Sequence, residues 1–128
     1  MAGETHLSTL LQTLRPELME GEFVFCTVDS RTAPIHDPVM TFQEKEGTTL
    51  ILTRSAADRL GLSYAYVAAW ITLTVHSSLE AVGLTAAFSK ALADQRISCN
   101  VVAGYYHDHL FVDKKDASKA MEILRGLS

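Results

Sequence analysis

The chain is expected to be an α+β protein of two tandem βαββαβ units packed as one globular protein. Three observations predict this. Short β-branched and aromatic runs alternate with stretches of helical apolar spacing, the pattern of a mixed fold. The second half reads strand, helix, strand, strand, helix, and the first half reads helix, strand, hairpin, helix and then a strand, so the halves look like two incomplete copies of one plan. Finally, at 128 residues the chain gives each copy about 60 residues, marginal for independent folding and better suited to a shared fold.

Leu7, Leu10, Leu11 and Leu14 recur at i, i+3, i+4 and i+7, the stripe of a short amphipathic helix that Pro16 bounds. "EFVFCTV" (Glu22 to Val28) is β-branched and aromatic and follows Gly21, so it reads as a strand. "DSRTAPIHDP" carries two prolines and no apolar period, which makes it a loop. "MTFQEKEGTTLILT" breaks at Glu46-Gly47 into two halves of a hairpin. Ser55 followed by Asp58 matches a capping box opening a brief helix that Gly61 closes.

"YAYVAAWITLTV" (Tyr64 to Val75) is too short for a bilayer, which needs roughly 20 residues, and its composition is that of a buried strand. Alternation sets Trp70, Thr72 and Thr74 on one face against Ile71, Leu73 and Val75, the set expected to meet the helices. From Leu84 a helix carries Leu84, Ala87, Phe88, Ala91 and Leu92 on one side. "SCNVVAGYY" and "HLFVDK" form strands around a turn expected at His107-Asp108. Asp116 is placed to cap a last helix whose inner stripe is Ala117, Ala120, Met121 and Leu124. The copies divide as residues 1–63 and 64–128, with the long central strand passing from the first sheet to the second.

Read as strand–loop–glycine–helix–strand, the second half resembles the ACT domain, a ferredoxin-like module. "EAVGL" (Glu80 to Leu84) stands where the family carries an acidic residue, Pro-Gly and an aliphatic one, with Val82 in place of proline. "RISCNVV" stands where the family enters its second strand. With "HSSLEAVGLTAA" and "NVVAGYYHDHLFV", the chain is similar to small bacterial proteins of paired ACT-like units, residues 1–63 only by element order. The resemblance implies regulatory binding of a small molecule, most often an amino acid, at an interface between units, with the ligand touching the loop after the first strand and the edge of a second strand.

That implication selects His76, Ser77, Ser78, Leu79, Glu80, Val82, Gly83 and Asn100 as the ligand-binding set. Physical chemistry supports the place. The first amides of a helix lack intrahelical acceptors, and the helix dipole adds positive charge there, so a carboxylate suits it. Gly83 lets the backbone approach closely. Ser77 or Ser78 offers a hydroxyl, and Glu80 or Asn100 can receive an ammonium group. The competing reading is a capping box, Ser77-x-x-Glu80, that satisfies the same amides internally and leaves Gly83 inside the helix at a cost of about 1 kcal/mol.

His107, Asp108 and His109 are open to polar contacts with a ligand or to plain turn chemistry. On a strand the two histidines would share a side, within reach of His76, yet a turn needs no metal, and none is expected. No activated nucleophile is evident. GxSxG, P-loop and GxGxxG patterns are lacking, and His76 beside Ser77 would point to the opposite strand face. No catalysis and no cofactor are therefore expected. Cys26 and Cys99 have neither CxxC nor zinc-ligand spacing and read as buried thiols.

Composition narrows the partners. The chain is 48% hydrophobic and 20% charged, with a net charge of −4, and its eleven Lys and Arg are scattered, which argues against a nucleic-acid surface. No basic region precedes the leucine pattern, so no signal peptide is expected, and neither is a membrane span. The expected protein is a cytoplasmic sensor without a catalytic domain, binding an amino acid or similar metabolite. The alternative is a ligand-independent interaction module controlling a partner enzyme or transporter. A homodimer is expected in either case, because the second half has no Lys- or Pro-guarded sheet edge.

Overall fold

Two segments far apart in the chain build one of the protein's two compact units, residues 1–20 with 69–128, and the residues between them, 21–68, build the other. The structure, a computed structural model, describes residues 6–29, 37–75 and 82–128.

The middle unit holds β2 (Phe23–Val28), β3 (Met40–Gln43), β4 (Thr48–Thr53), α2 (Arg54–Leu60) and the start of β5 (Val67–Thr74). Its strand order is β3-β4-β2-β5, with β5 joined to β2 through Phe23 opposite Ala68 and Val24 opposite Val67. The expected hairpin forms, closing through Glu44 and Gly47, whose amides and carbonyls bond each other at 2.9 and 3.3 Å. Gly47 is required there. Its φ is +156°, and a Cβ would stand 2.8 Å from the Val28 carbonyl oxygen. Register places Cys26 opposite Leu50 and Val24 opposite Leu52, and these four join Ala57 of α2 in a small core.

The start of α2 differs from the sequence expectation. Thr53, at the end of β4, caps the helix by accepting the Ala56 amide at 3.2 Å, while Ser55 lies inside the first turn. The strand delivers Thr53 in an extended conformation (ψ 147°), which an N-cap needs. Gly61 closes α2 in the left-handed conformation as expected.

The other unit holds α1 (Leu7–Thr13), β1 (Arg15–Leu18), the rest of β5, α3 (Leu84–Asp94), β6 (Asn100–Ala103), β7 (Asp108–Asp113) and α4 (Ala117–Arg125). β1 was not expected. It pairs antiparallel with β5, Pro16 opposite Leu73 and Leu18 opposite Ile71. The unit's order is thus β1-β5-β7-β6, a ferredoxin-like sheet whose fourth strand comes from the N-terminal segment. Pro16 is tolerated because β1 lies at the edge of this order. Packing therefore follows this pairing, whereas a division between residues 63 and 64 follows chain order.

Helical spacing and strand alternation converge on one core: Leu10, Leu14, Ile71, Leu73 and Val75 meet Leu84, Phe88, Leu92 and Leu110. The inner stripe of α4 is Ala117, Ala120, Met121 and Leu124, as the sequence indicates. Two local details differ. Asp113, not Asp116, supplies the capping carboxylate, accepting the Lys115 amide at 3.0 Å in a 3₁₀ turn (Lys114–Asp116) that leads into α4. The β6–β7 turn spans Gly104 to His107, with the Gly104 amide donating to the His107 carbonyl at 2.9 Å, so Asp108 is a strand residue.

Candidate functional site

α3 begins where the sequence places a ligand loop. Gly83 is its N-cap residue, and among the described residues no side chain caps it. The first bond of the helix runs from the Ala87 amide to the Gly83 carbonyl at 2.9 Å, so the amides of Leu84, Thr85 and Ala86 precede the ladder. Gly83 has φ +98°, which L side chains rarely adopt, and a Cβ there would approach the Leu7 side chain at 3.2 Å. The helix thus starts after the glycine, without enclosing it. Val82, before it, is 83% exposed.

The other predicted residues divide. His76, Ser77, Ser78, Leu79 and Glu80 lie outside the described residues. Asn100 opens β6, and its amide nitrogen donates across the ladder to the Phe111 carbonyl at 3.4 Å.

The His107-Asp108-His109 run is split by the turn. His107 ends it, with Nδ1 buried and lacking a hydrogen-bond partner, while His109 sits in β7 opposite Val102. Nδ1 of His109 lies 3.1 Å from the Trp70 indole nitrogen and 3.1 Å from the Thr72 hydroxyl. Burial, then the charge of His107, holds the His109 proton affinity below the ordinary imidazole value, with Asp108 opposing. Burial raises the Asp108 carboxyl above its ordinary range, and the two histidines oppose that. Among the described residues no group of three or more His, Cys, Asp or Glu is placed to hold a metal ion.

Sequence reasoning missed two groupings. Trp70 and Thr72 share a face by alternation, but nothing local says that β7 lies beside them. In the middle unit an open cleft of about 470 Å³ is lined by Gly21, Glu22, Thr53, Arg54, Ser55 and Asp58. Arg54 ties it together, meeting Glu22 at 3.2 Å and donating to the Tyr64 hydroxyl at 2.9 Å, which donates in turn to Asp58 at 2.7 Å. These polar groups satisfy one another, so the cleft is a closed network at a helix start. Only long-range pairing of Glu22 with Arg54 creates it.

Cys26 is buried and Cys99 half-buried, both as free thiols. Burial pushes the Cys99 thiol up to about 11, which disfavours the nucleophilic thiolate.

An ACT-domain family model matches residues 2–69, and a second matches residues 66–126. The chain is 49% identical to a Vibrio cholerae protein of unknown function described as a possible transport protein, over 94% of both chains, with a TM-score of 0.83. An Agrobacterium tumefaciens protein shares the fold at 14% identity and TM-score 0.69, over 89% of this chain and 88% of that one. So does the ligand-free regulatory subunit of aspartate kinase from Thermus thermophilus, at 7% identity and TM-score 0.60, over 88% and 95%. No curated protein matches the sequence.

Proposed function

The chain belongs to the ACT-domain family, and from that premise we propose that it is a non-catalytic regulatory protein that senses a small molecule, an amino acid first among the candidates. The carrying observation is the start of α3. A glycine at positive φ leads into a helix whose first amides meet no capping side chain among the described residues. An α-carboxylate fits that place, since it offers oxygens to several amides and negative charge to the positive end of the dipole. His76, Ser77, Ser78, Leu79 and Glu80 would form the wall before it, with Glu80 receiving the ammonium group.

The fold shared with an aspartate kinase regulatory subunit supports control of a partner enzyme as the output. The Vibrio cholerae relative's description suggests a transporter as another target. A cytoplasmic location is part of the proposal, and among the described residues no helix is long and apolar enough to cross a membrane.

A second reading, of a dimerisation module that needs no ligand, is favoured by one feature. β6 ends its unit's strand order, with Asn100, Val101 and Ala103 exposed, and Tyr105 and Tyr106 stand 77% and 72% exposed beside it. Such an edge invites pairing with a second copy.

Thermal denaturation against the twenty amino acids and common nucleotides separates the readings. A ligand at 100 times its Kd adds about 2.7 kcal/mol to stability. Stabilisation by one amino acid, weakened by Glu80→Gln, supports the sensor. A flat response across the panel, with concentration-dependent melting, replaces it by the dimerisation module.

A further inference from the structure

Trp70 and His109 meet on the face of the sheet turned away from Ile71 and Leu73, which lie in the core with α3 and α4. The indole nitrogen stands 3.1 Å from Nδ1 of His109, with ring centroids 5.7 Å apart. An indole N–H only donates, so Nδ1 must present its lone pair, and the neutral imidazole carries its proton on Nε2. The Thr72 hydroxyl, 3.1 Å from the same nitrogen, is then a donor as well. Gly104 flanks the ring from the turn, where a Cβ would stand 3.1 Å from Nε2 of His109 and 2.9 Å from the His107 carbonyl. The ring is therefore seated between the two side chains of β5 and the backbone of the turn.

We propose that Trp70 and His109 form a proton-operated latch on this sheet face. Protonation of Nδ1 replaces the acceptor by a third N–H or O–H donor aimed at two others, and the indole must leave. Trp70 also stacks on Phe111 at 6.0 Å and 23°, and Phe111 is only 2% exposed, so a released indole withdraws one of its covering rings. Acid thereby uncovers aromatic surface on a regulatory domain.

The groups facing His109 set the sense of the response. From β7 and the turn, His107 opposes a second positive charge and Asp108 favours it. From β1, Glu17 stands opposite Thr72. On β6, the residues on this face are Asn100 and Val102, neither of which titrates, and the turn adds Tyr105 and Tyr106. Burial acts with His107, so the latch is closed at neutral pH and opens below the ordinary imidazole value of 6.5.

Trp70 is the only tryptophan, so one indole N–H resonance reports the latch in the intact protein. At pH 7.5, ¹⁵N spectra should show His109 as the Nε2–H tautomer. On acidification the indole N–H should shift toward its free value with the same midpoint as His109, while far-UV circular dichroism stays constant. His109→Gln keeps an acceptor for the indole without a titrating group, and should abolish the transition. His107→Asn should keep the transition and raise its midpoint. A proton on Nδ1 at pH 7.5, an indole signal that ignores His109, a transition surviving in His109→Gln, or loss of circular dichroism over the same range would each overturn the latch. The tautomer is read in the wild type, so the test stands even where a variant folds poorly.

Discussion

Leu18 stands opposite Ile71 across the antiparallel ladder of β1 and β5, so the closing strand of the unit that ends the chain is the one that follows the first helix. The fourfold sheet is completed by residues more than fifty positions away from their partner. Such non-local pairing costs chain entropy on closure, and the buried leucines that precede the strand, Leu10 and Leu14, must help offset it.

Leu14 is where that offset is tested, since it joins α1 to β1 and is fully buried with Ile71, Leu73 and Phe88 in the core. Leu14→Ala should cost about 2–5 kcal/mol in urea unfolding, the range for buried leucines. Leu7→Ala, at a position 37% exposed, should cost no more than about 1 kcal/mol. Equal and small losses would make the N-terminal segment a loose appendage.

Two helices end in one motif with different residues. The Leu62 amide donates to Ala57 and the Gly61 amide to Asp58 at the end of α2. The Ile97 amide donates to Leu92 and the Arg96 amide to Ala93 at the end of α3. Both Gly61 and Arg96 are left-handed, with φ of +69° and +60°. Arg96 bears the Cβ penalty that glycine escapes. Arg96→Gly should therefore stabilise by about 0.5–1 kcal/mol, and Gly61→Ala, whose Cβ meets nothing within 4 Å, should destabilise by about 1 kcal/mol. Opposite signs in chemical denaturation are the expected result, and a destabilised Arg96→Gly would show that the arginine side chain outweighs its backbone.

Cys99 gives a pH prediction. With its thiol at about 11 against an ordinary 9.0, it holds about a hundredfold less thiolate at pH 8 than a free cysteine. Iodoacetamide should alkylate it more slowly by about that factor in a Cys26→Ala background. A raised folded value means the unfolded chain loses its proton first, so the thiol's contribution to stability is complete below pH 9 and fades as pH rises toward 11. Alkylation at the rate of a model thiol at pH 8 would refute the buried setting.

Elements whose stability is local were legible in the sequence. The stripe of α4 and the alternation around Leu73 and Val75 appear in the core as expected, because side-chain period and burial report the same face. β5 is shorter than the apolar run, Val67–Thr74 against Tyr64 to Val75, since apolarity outlasts pairing. β1 was illegible for the opposite reason. "RPEL" has no strand signature, and only its register with β5 makes it one. Thr53 was overlooked because a hydroxyl two residues later offered a capping pattern, and the choice depends on where the strand ends. At the candidate site the glycine-led helix start was readable, while the meeting of Trp70 with His109 needed the adjacency of β5 and β7.

The ligand proposal turns on separating space from charge at the start of α3. Gly83→Ala adds a Cβ at φ +98°, so it should cost about 1–2 kcal/mol of stability through backbone strain alone. Any loss of ligand in that variant therefore has two causes, and binding must be corrected for the folded fraction. Glu80→Gln keeps the side chain's size and removes its charge. It should weaken the ammonium contact by about 1.5–3 kcal/mol, the range for hydrogen bonds to charged groups, with little change in unfolding. Titration calorimetry with the amino acid that most stabilises the wild type reads both variants on one scale. A large loss in Glu80→Gln with an unchanged melting temperature supports a carboxylate at the helix start and an ammonium group at Glu80. Affinities equal to the wild type in both variants would move the pocket elsewhere and leave "HSSLEAVG" as a helix entrance.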